Sequence, residues 1–233
     1  MKSVLNYYDK SNYEISLILN SNTEDVGTEN FKKLIDFSYN IFNLNDVDAT
    51  NLIRKQNLDI VFDLMGVTSM NRVGLFVNRL APVQISWLGY CNTMGIKNMD
   101  YLIADKNLIY SDEEELYSEK IIYMPSIWNC HYGLNLERTK TELPALKNNF
   151  ITFGSFNNYN KINDNVIETW VNILKKLPGS KLLLKSSTKK ENYKFKDLLS
   201  EQNLEKSVVF LPTAKFFEDH INLYKNIDIA LDT

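Results

Sequence analysis

The sequence predicts an α/β fold built on mostly parallel sheets. Three observations carry that reading. Short apolar runs of strand type alternate along the chain with segments whose apolar residues recur at helical spacing. A polar stretch at residues 138–149 (RTKTELPALKNN), holding Pro144, breaks the alternation, which then restarts. With 233 residues and 44% hydrophobic side chains, the chain can bury a sizeable core, as one large domain or two small ones.

Residues 12–18 (NYEISLI) read as a strand. Residues 28–42 read as a helix, because Phe31, Leu34, Ile35, Tyr39 and Ile41 keep helical spacing. A short helix follows near 47–56, with Asp46 or Asp48 as its N-cap. Residues 58–64 (LDIVFDL) read as a strand of the buried type, 73–80 as helical, and 83–88, 101–104 and 121–124 as further short strands. Beyond the polar break the expected order is strand 150–155, helix 163–177, strand 181–185, helix 190–203, strand 207–211, helix 216–225 and strand 227–231. The helix at 163–177 has the most regular pattern. Val166, Ile167, Trp170, Ile173, Leu174 and Leu177 share one face, Asn163 is placed to cap it, and Pro178-Gly179 ends it. The expected division is a first lobe at 1–137, a linker at 138–149 and a second lobe at 150–233. No internal repeat at a fixed period is present. The last strand, DIALDT, stops at its ligand-side end, so a truncated chain is expected.

Composition narrows the function classes. The longest apolar runs, such as Ile60 to Phe62 and Leu182 to Leu184, fall far short of the roughly 18 residues of a membrane span. The opening MKSVLNYYDKSNYE lacks the apolar core of a signal peptide. Cys91 and Cys130 are too few for a disulfide framework and fit no zinc spacing, so a reducing, cytoplasmic setting is expected. A net charge of −3 argues against a nucleic-acid partner. The charge is −5 over residues 1–149 and +2 over 150–233, so the second half tolerates an anionic ligand better.

Two loops stand out. Phe153-Gly154-Ser155-Phe156-Asn157-Asn158-Tyr159-Asn160-Lys161-Ile162 leads from a strand to the N-terminus of the best helix. Free amides there favour an anion, and Lys161 adds a formal charge, which suits a diphosphate; the alternative is a solvated, capped loop. Trp87-Leu88-Gly89-Tyr90-Cys91-Asn92-Thr93-Met94-Gly95 also follows a strand. Its two glycines permit a ligand to approach the backbone closely, or else mark a tight loop with aromatic packing. His131 and His220 are the only histidines, and His220 falls at the ligand end of the second sheet. Asp46-Val47-Asp48 spells DxD, a pattern that metal-dependent glycosyltransferases use, but it sits at a helix start and reads as capping. Glu113-Glu114-Glu115 reads as a solvated helical turn.

Four colinear blocks resemble the catalytic region of the O-GlcNAc transferase / SPINDLY family, in its bacterial and SPINDLY-type form. They are LAPVQISWLGYCNTMGIKNMDYLIAD, LYSEKIIYMP, ITFGSFNNYNKI with the following WVNILKKLPGSKLLLK, and HINLYKNIDIALDT. The resemblance implies a GT-B-like pair of Rossmann-like lobes. It implies inverting, metal-independent transfer of a sugar, GlcNAc before fucose, from a nucleotide sugar (UDP-GlcNAc before GDP-fucose) to serine or threonine hydroxyls of a protein or peptide acceptor. Lys161 matches the family's diphosphate-contacting lysine and so the catalytic position. Asn158 matches a neighbouring polar contact, and His220 a histidine beside the nucleotide base. Lys215, in the stretch from Pro212, falls near that base. Gly89, Tyr90, Asn92, Thr93 and Gly95 resemble the segment lining the cleft on the acceptor side.

The sequence also departs from the family pattern. Cys91 stands where proline is usual, and Asp59 aligns with a histidine of animal members. The strand and histidine-bearing loop that open the first lobe, the threonine-rich loop after LDT and the upstream tetratricopeptide repeats fall outside the sequence. A half-built site with impaired activity is therefore expected. The competing readings are a non-catalytic interaction module that keeps the fold, and a different two-lobed nucleotide-sugar enzyme such as an epimerase.

Overall fold

The computed structural model describes residues 1–130, 142–186, 193–212, 214 and 217–233. The chain folds as two compact units, Met1–Asn135 and Leu136–Thr233.

The first unit begins with helix α1 (Lys2–Tyr7), which the sequence pattern did not reveal. Strand β1 (Ser16–Leu19) pairs in parallel with β2 (Phe37–Asn40), with Ser16 opposite Phe37 and Leu19 opposite Asn40. Between them lies α2 (Val26–Lys32), capped by the Asp25 carboxylate on the Thr28 amide. The helix expected over 28–42 is therefore corrected: it stops at Lys32, and its second half is a strand. Pairing decides this. The Ile15 carbonyl accepts from the Asp36 and Phe37 amides, and the Asp36 carboxylate takes the Ile15 amide at 2.8 Å. That ladder satisfies backbone groups that a continued helix would have to satisfy locally.

Helix α3 (Asp46–Arg54) follows, and its N-cap is Asn45, whose side chain accepts from the Asp48 amide at 2.9 Å. Neither Asp46 nor Asp48 is the cap. Asp46 instead receives Arg72 at 2.5 Å. Strands β3 (Ile60–Asp63), β4 (Val83–Ser86), β5 (Tyr101–Ala104) and β6 (Lys120–Tyr123) form a parallel sheet in chain order, and the short helix α4 (Gly74–Val77) connects β3 to β4. β3 is not buried on both faces: Val61 and Asp63 are inside, while Ile60 and Phe62 are 47% and 44% exposed. A short 3₁₀ turn at Glu114–Leu116 takes the place expected for the Glu113–Glu115 turn.

The core of this unit packs Ile41, Ala49 and Ile53 against Leu75, Phe76 and Leu80. Gln84 is wholly buried in β4. Its carboxamide takes the Leu80 amide at 2.7 Å and donates to the carbonyls of Phe76 (2.9 Å) and Asn98 (2.7 Å).

The second unit holds a parallel sheet in the order β10-β7-β8-β9: β7 (Thr152–Ser155), β8 (Lys181–Ser186), β9 (Val208–Pro212) and β10 (Ile229–Ala230). Residues 138–141 of the expected linker lie outside the described residues. Its later part is not coil but helix α5 (Pro144–Asn148), with Pro144 at the start, where its missing N–H costs nothing. Asp228 ties this helix to the sheet by accepting from the Ala145 and Thr152 amides, both at 2.8 Å. Helix α6 (Asp164–Lys176) is capped by Asn163, as its pattern implies. It buries Ile167, Trp170, Val171 and Leu174, but Leu177 lies beyond its end and is exposed. Helices α7 (Tyr193–Glu201) and α8 (Phe217–Leu223) complete the unit. Phe195 and Leu199 of α7 join Trp170, Leu182 and Leu184 in its core. Among the described residues, no helix is long and apolar enough to cross a membrane.

Candidate functional site

In the second unit, chain order runs β7 to β8 to β9 on one side, while β10 returns to the other side of β7. The carboxyl ends of β7 and β10 are therefore a topological switch point, where open α/β sheets leave a ligand crevice. The residues at that crest make a connected set. Asn157, just past β7, donates from its carboxamide to Asp232 Oδ1 at 2.9 Å and to Thr233 Oγ1 at 3.0 Å, beyond β10. The Asn157 hydrogen bond holds the Asp232 carboxyl below its ordinary range, helped by the Thr233 amide and, across space, by the Lys161 charge. Lys161 ends a 3₁₀ turn (Tyr159–Lys161) and is exposed. Among the described residues its ammonium makes no ion pair.

Asn158 is exposed, but its hydrogen bonds are local. Its side-chain oxygen accepts from the Asn160 amide at 3.1 Å and its carbonyl from the Lys161 amide at 3.0 Å, so it shapes the turn that presents Lys161. His220, on α8, meets Phe156 edge-on at 6.2 Å, and Tyr224 closes the aromatic group at 4.9 Å from Phe156. Its Nδ1 is buried with no hydrogen-bond partner among the described residues. Burial lowers the His220 pKa, and the nearby Lys185 charge lowers it further, so the imidazole is neutral at pH 7. A neutral ring with an unused nitrogen on an aromatic floor suits a planar heterocycle. Ser155, the last residue of β7, also buries a hydroxyl without a partner among the described residues. Lys215 and His131 lie outside the described residues.

The first unit has its own crest at the ends of β3 and β4. Gly89 lies so close to β3 that a Cβ there would fall 1.9 Å from the Leu64 carbonyl oxygen. Tyr90 lies across Gly66, where a Cβ would fall 2.1 Å from the tyrosine Cβ. Asp63 fixes this turn by accepting from the amides of Met65 (3.2 Å) and Gly66 (2.7 Å); burial raises its pKa against the pull of those amides. Asn92 accepts from the Thr93 amide at 2.8 Å, and the Thr93 hydroxyl takes the Gly95 amide at 3.0 Å. Gly95, at φ +64°, has nothing within 4 Å of a built Cβ. Cys91 and Asn92 are exposed at the tip. The five residues Gly89, Tyr90, Asn92, Thr93 and Gly95 thus form one fixed loop. Sequence reasoning missed Asp63, although its partners Met65 and Gly66 are local and the Asp63-to-Gly66 spacing is a turn signal. It missed Asn157 and Glu119 because Asp232 and Thr233 for the one, and Thr93 and Met94 for the other, are distant in the chain. Asn157 was inside a quoted motif, but Asp232 is 75 residues away.

These two parallel sheets, with ligand-side crests rich in glycine, amides and one lysine, place the chain in the Rossmann-like α/β class. The comparisons then identify the family. The sequence pattern of Glycosyl transferase family 41 matches residues 1–133 and 133–233, and the chain belongs to that family. The "Probable UDP-N-acetylglucosamine--peptide N-acetylglucosaminyltransferase SPINDLY" of Oryza sativa subsp. japonica is 32% identical over 100% of this chain and 26% of its own length. The protein of the same description from Arabidopsis thaliana is 34% identical over 83% of this chain and 22% of its own length. The solved structure of an O-GlcNAc transferase mutant from Thermobaculum terrenum superposes with a TM-score of 0.87 at 28% identity, covering 99% of this chain and 44% of that one. This match supports the GT-B-like fold class implied by the resemblance. The chain spans about a quarter of the length of the curated relatives it matches.

Proposed function

We propose that the protein takes part in transfer of a sugar from a nucleotide sugar, UDP-GlcNAc before GDP-fucose, to serine or threonine hydroxyls of a protein or peptide acceptor. The observation that carries this reading is the switch-point crest of the second unit, which holds an exposed lysine on a turn before a helix and a half-buried histidine whose Nδ1 has no partner among the described residues. In this reading the acceptor hydroxyl oxygen bonds to the anomeric carbon with inversion, the nucleoside diphosphate leaves with the bonding pair, and the hydroxyl proton passes to the departing diphosphate. Lys161 and nearby amides neutralise that leaving charge in place of a metal ion. Asn158 sets the turn that aims Lys161, and His220 and Lys215 border the base. Gly89, Tyr90, Asn92, Thr93 and Gly95 form the acceptor side. The setting is cytoplasmic, with no membrane or nucleic-acid partner.

The test is calorimetric titration with UDP, GDP and UMP. Selective binding of one diphosphate, weakened at least about tenfold in Lys161→Ala through loss of a charge-assisted contact, supports the reading and names the donor class. Equal binding by Lys161→Ala refutes the role of the lysine. Binding of none of the three, together with capture of a protein ligand, favours the non-catalytic interaction module. Breakdown or epimerisation of free donor without an acceptor favours the epimerase-type reading.

A further inference from the structure

We infer that Glu119 is the positioning residue of the acceptor-side loop, an inference that rests on the assignment of that loop above. Glu119 immediately precedes β6 and is only 4% exposed. Three donors converge on its carboxylate. The Met94 amide reaches Oε1 at 2.7 Å, and the hydroxyls of Thr93 (2.7 Å) and Ser118 (3.1 Å) reach Oε2. Among the described residues no cationic side chain forms an ion pair with it. A buried carboxylate without a cation is costly, so its hydrogen bonds must hold it.

The chemistry of the site selects a carboxylate. Gln84, equally buried in the same unit, faces one donor and two acceptors and is an amide. Glu119 faces the Met94 amide and two hydroxyls, so an acceptor-only group takes all three, whereas an amide NH2 in its place would forgo at least the Thr93 donor. Thr93 cannot turn its hydroxyl round to accept instead, because its oxygen already takes the Gly95 amide at 3.0 Å and the Ser118 amide at 3.4 Å. The loop is therefore pinned at both ends. Gly89 and Tyr90 mesh with Leu64 and Gly66 on one side, and Glu119 fixes Thr93, Met94 and, through Thr93, Gly95 on the other. The tip at Cys91 and Asn92 is held between them and stays exposed. A loop fixed in this way presents its polar edge without paying for ordering when a polypeptide arrives.

The experiment uses the full chain and the variants Glu119→Gln, Thr93→Val and their combination. It reads acceptor KM, donor KM and hydrogen exchange of the Met94 and Gly95 amides. Each single variant is expected to raise acceptor KM about tenfold, as for loss of one charge-assisted hydrogen bond, with donor KM within about twofold. The double variant should fall well short of the two effects combined, because the Thr93–Glu119 contact is lost in both singles. The two amides should exchange faster in Glu119→Gln. Unchanged acceptor KM, or donor and acceptor KM rising together, overturns the inference. Absence of transfer by the unaltered chain overturns the functional reading and the acceptor role with it. Exchange then decides the clamp alone, and unchanged exchange in Glu119→Gln overturns that as well.

Discussion

Replacing Gly89 by alanine tests the close approach of the β3 and β4 ends. The new Cβ would fall 1.9 Å from the Leu64 carbonyl oxygen, 2.6 Å from its carbon and 3.1 Å from Met65 Cα, whereas ordinary contact begins near 3.4 Å. The two segments would have to part by about 1.5 Å, the difference between those distances. Every atom in the way is main chain, so no rotamer change relieves the clash. Overpacking that side chains can absorb costs about 1–3 kcal/mol, and this case belongs at or above the upper end, about 3 kcal/mol. Separation would also release Tyr90 from Gly66. Gly95→Ala is the control. Its φ of +64° is strained for alanine, but nothing lies within 4 Å, so the left-handed penalty of about 1–2 kcal/mol is the whole cost. The assay is urea unfolding followed by amide exchange of peptides from β3 and β4, because two units need not unfold together. Gly89→Ala costing no more than Gly95→Ala would refute the argument from close approach.

Further outcomes follow from other sites. Gln84→Ala strips partners from the Leu80 amide and the Phe76 and Asn98 carbonyls, so a loss of at least about 3 kcal/mol is expected in the same unfolding assay. His220 has a folded-state pKa below its unfolded value, so the unfolded chain takes up the proton first. The stability of the second unit should therefore be fully present above about pH 6.5 and fall as pH drops through the window below it. His220→Gln should flatten that slope in denaturant midpoints measured against pH. With two histidines in the chain, imidazole NMR titration can read the shift directly, and Lys185→Met should move it upward.

Much of the fold was legible locally. The period of α6, its Asn163 cap and the short parallel strands follow from apolar spacing and turn chemistry that neighbouring residues report. The segment from Phe37 to Asn40 was not legible as a strand, because helical spacing there competes with a pairing partner some twenty residues earlier. Likewise the α3 cap belongs to Asn45 because Arg72, a distant residue, draws Asp46 away.

The sequence by itself determined the α/β class, the family resemblance and the two loops that matter, since motif wording and strand–helix alternation are properties of short stretches. Tertiary structure alone decided what surrounds those loops. It placed Asp232 against Asn157, a buried Glu119 beneath Thr93 and Met94, and Leu64 against Gly89. Each of these depends on which strand lies beside which. In a parallel sheet that order is set by long crossovers, so the contacts at a strand's carboxyl end come from residues that no local pattern can name.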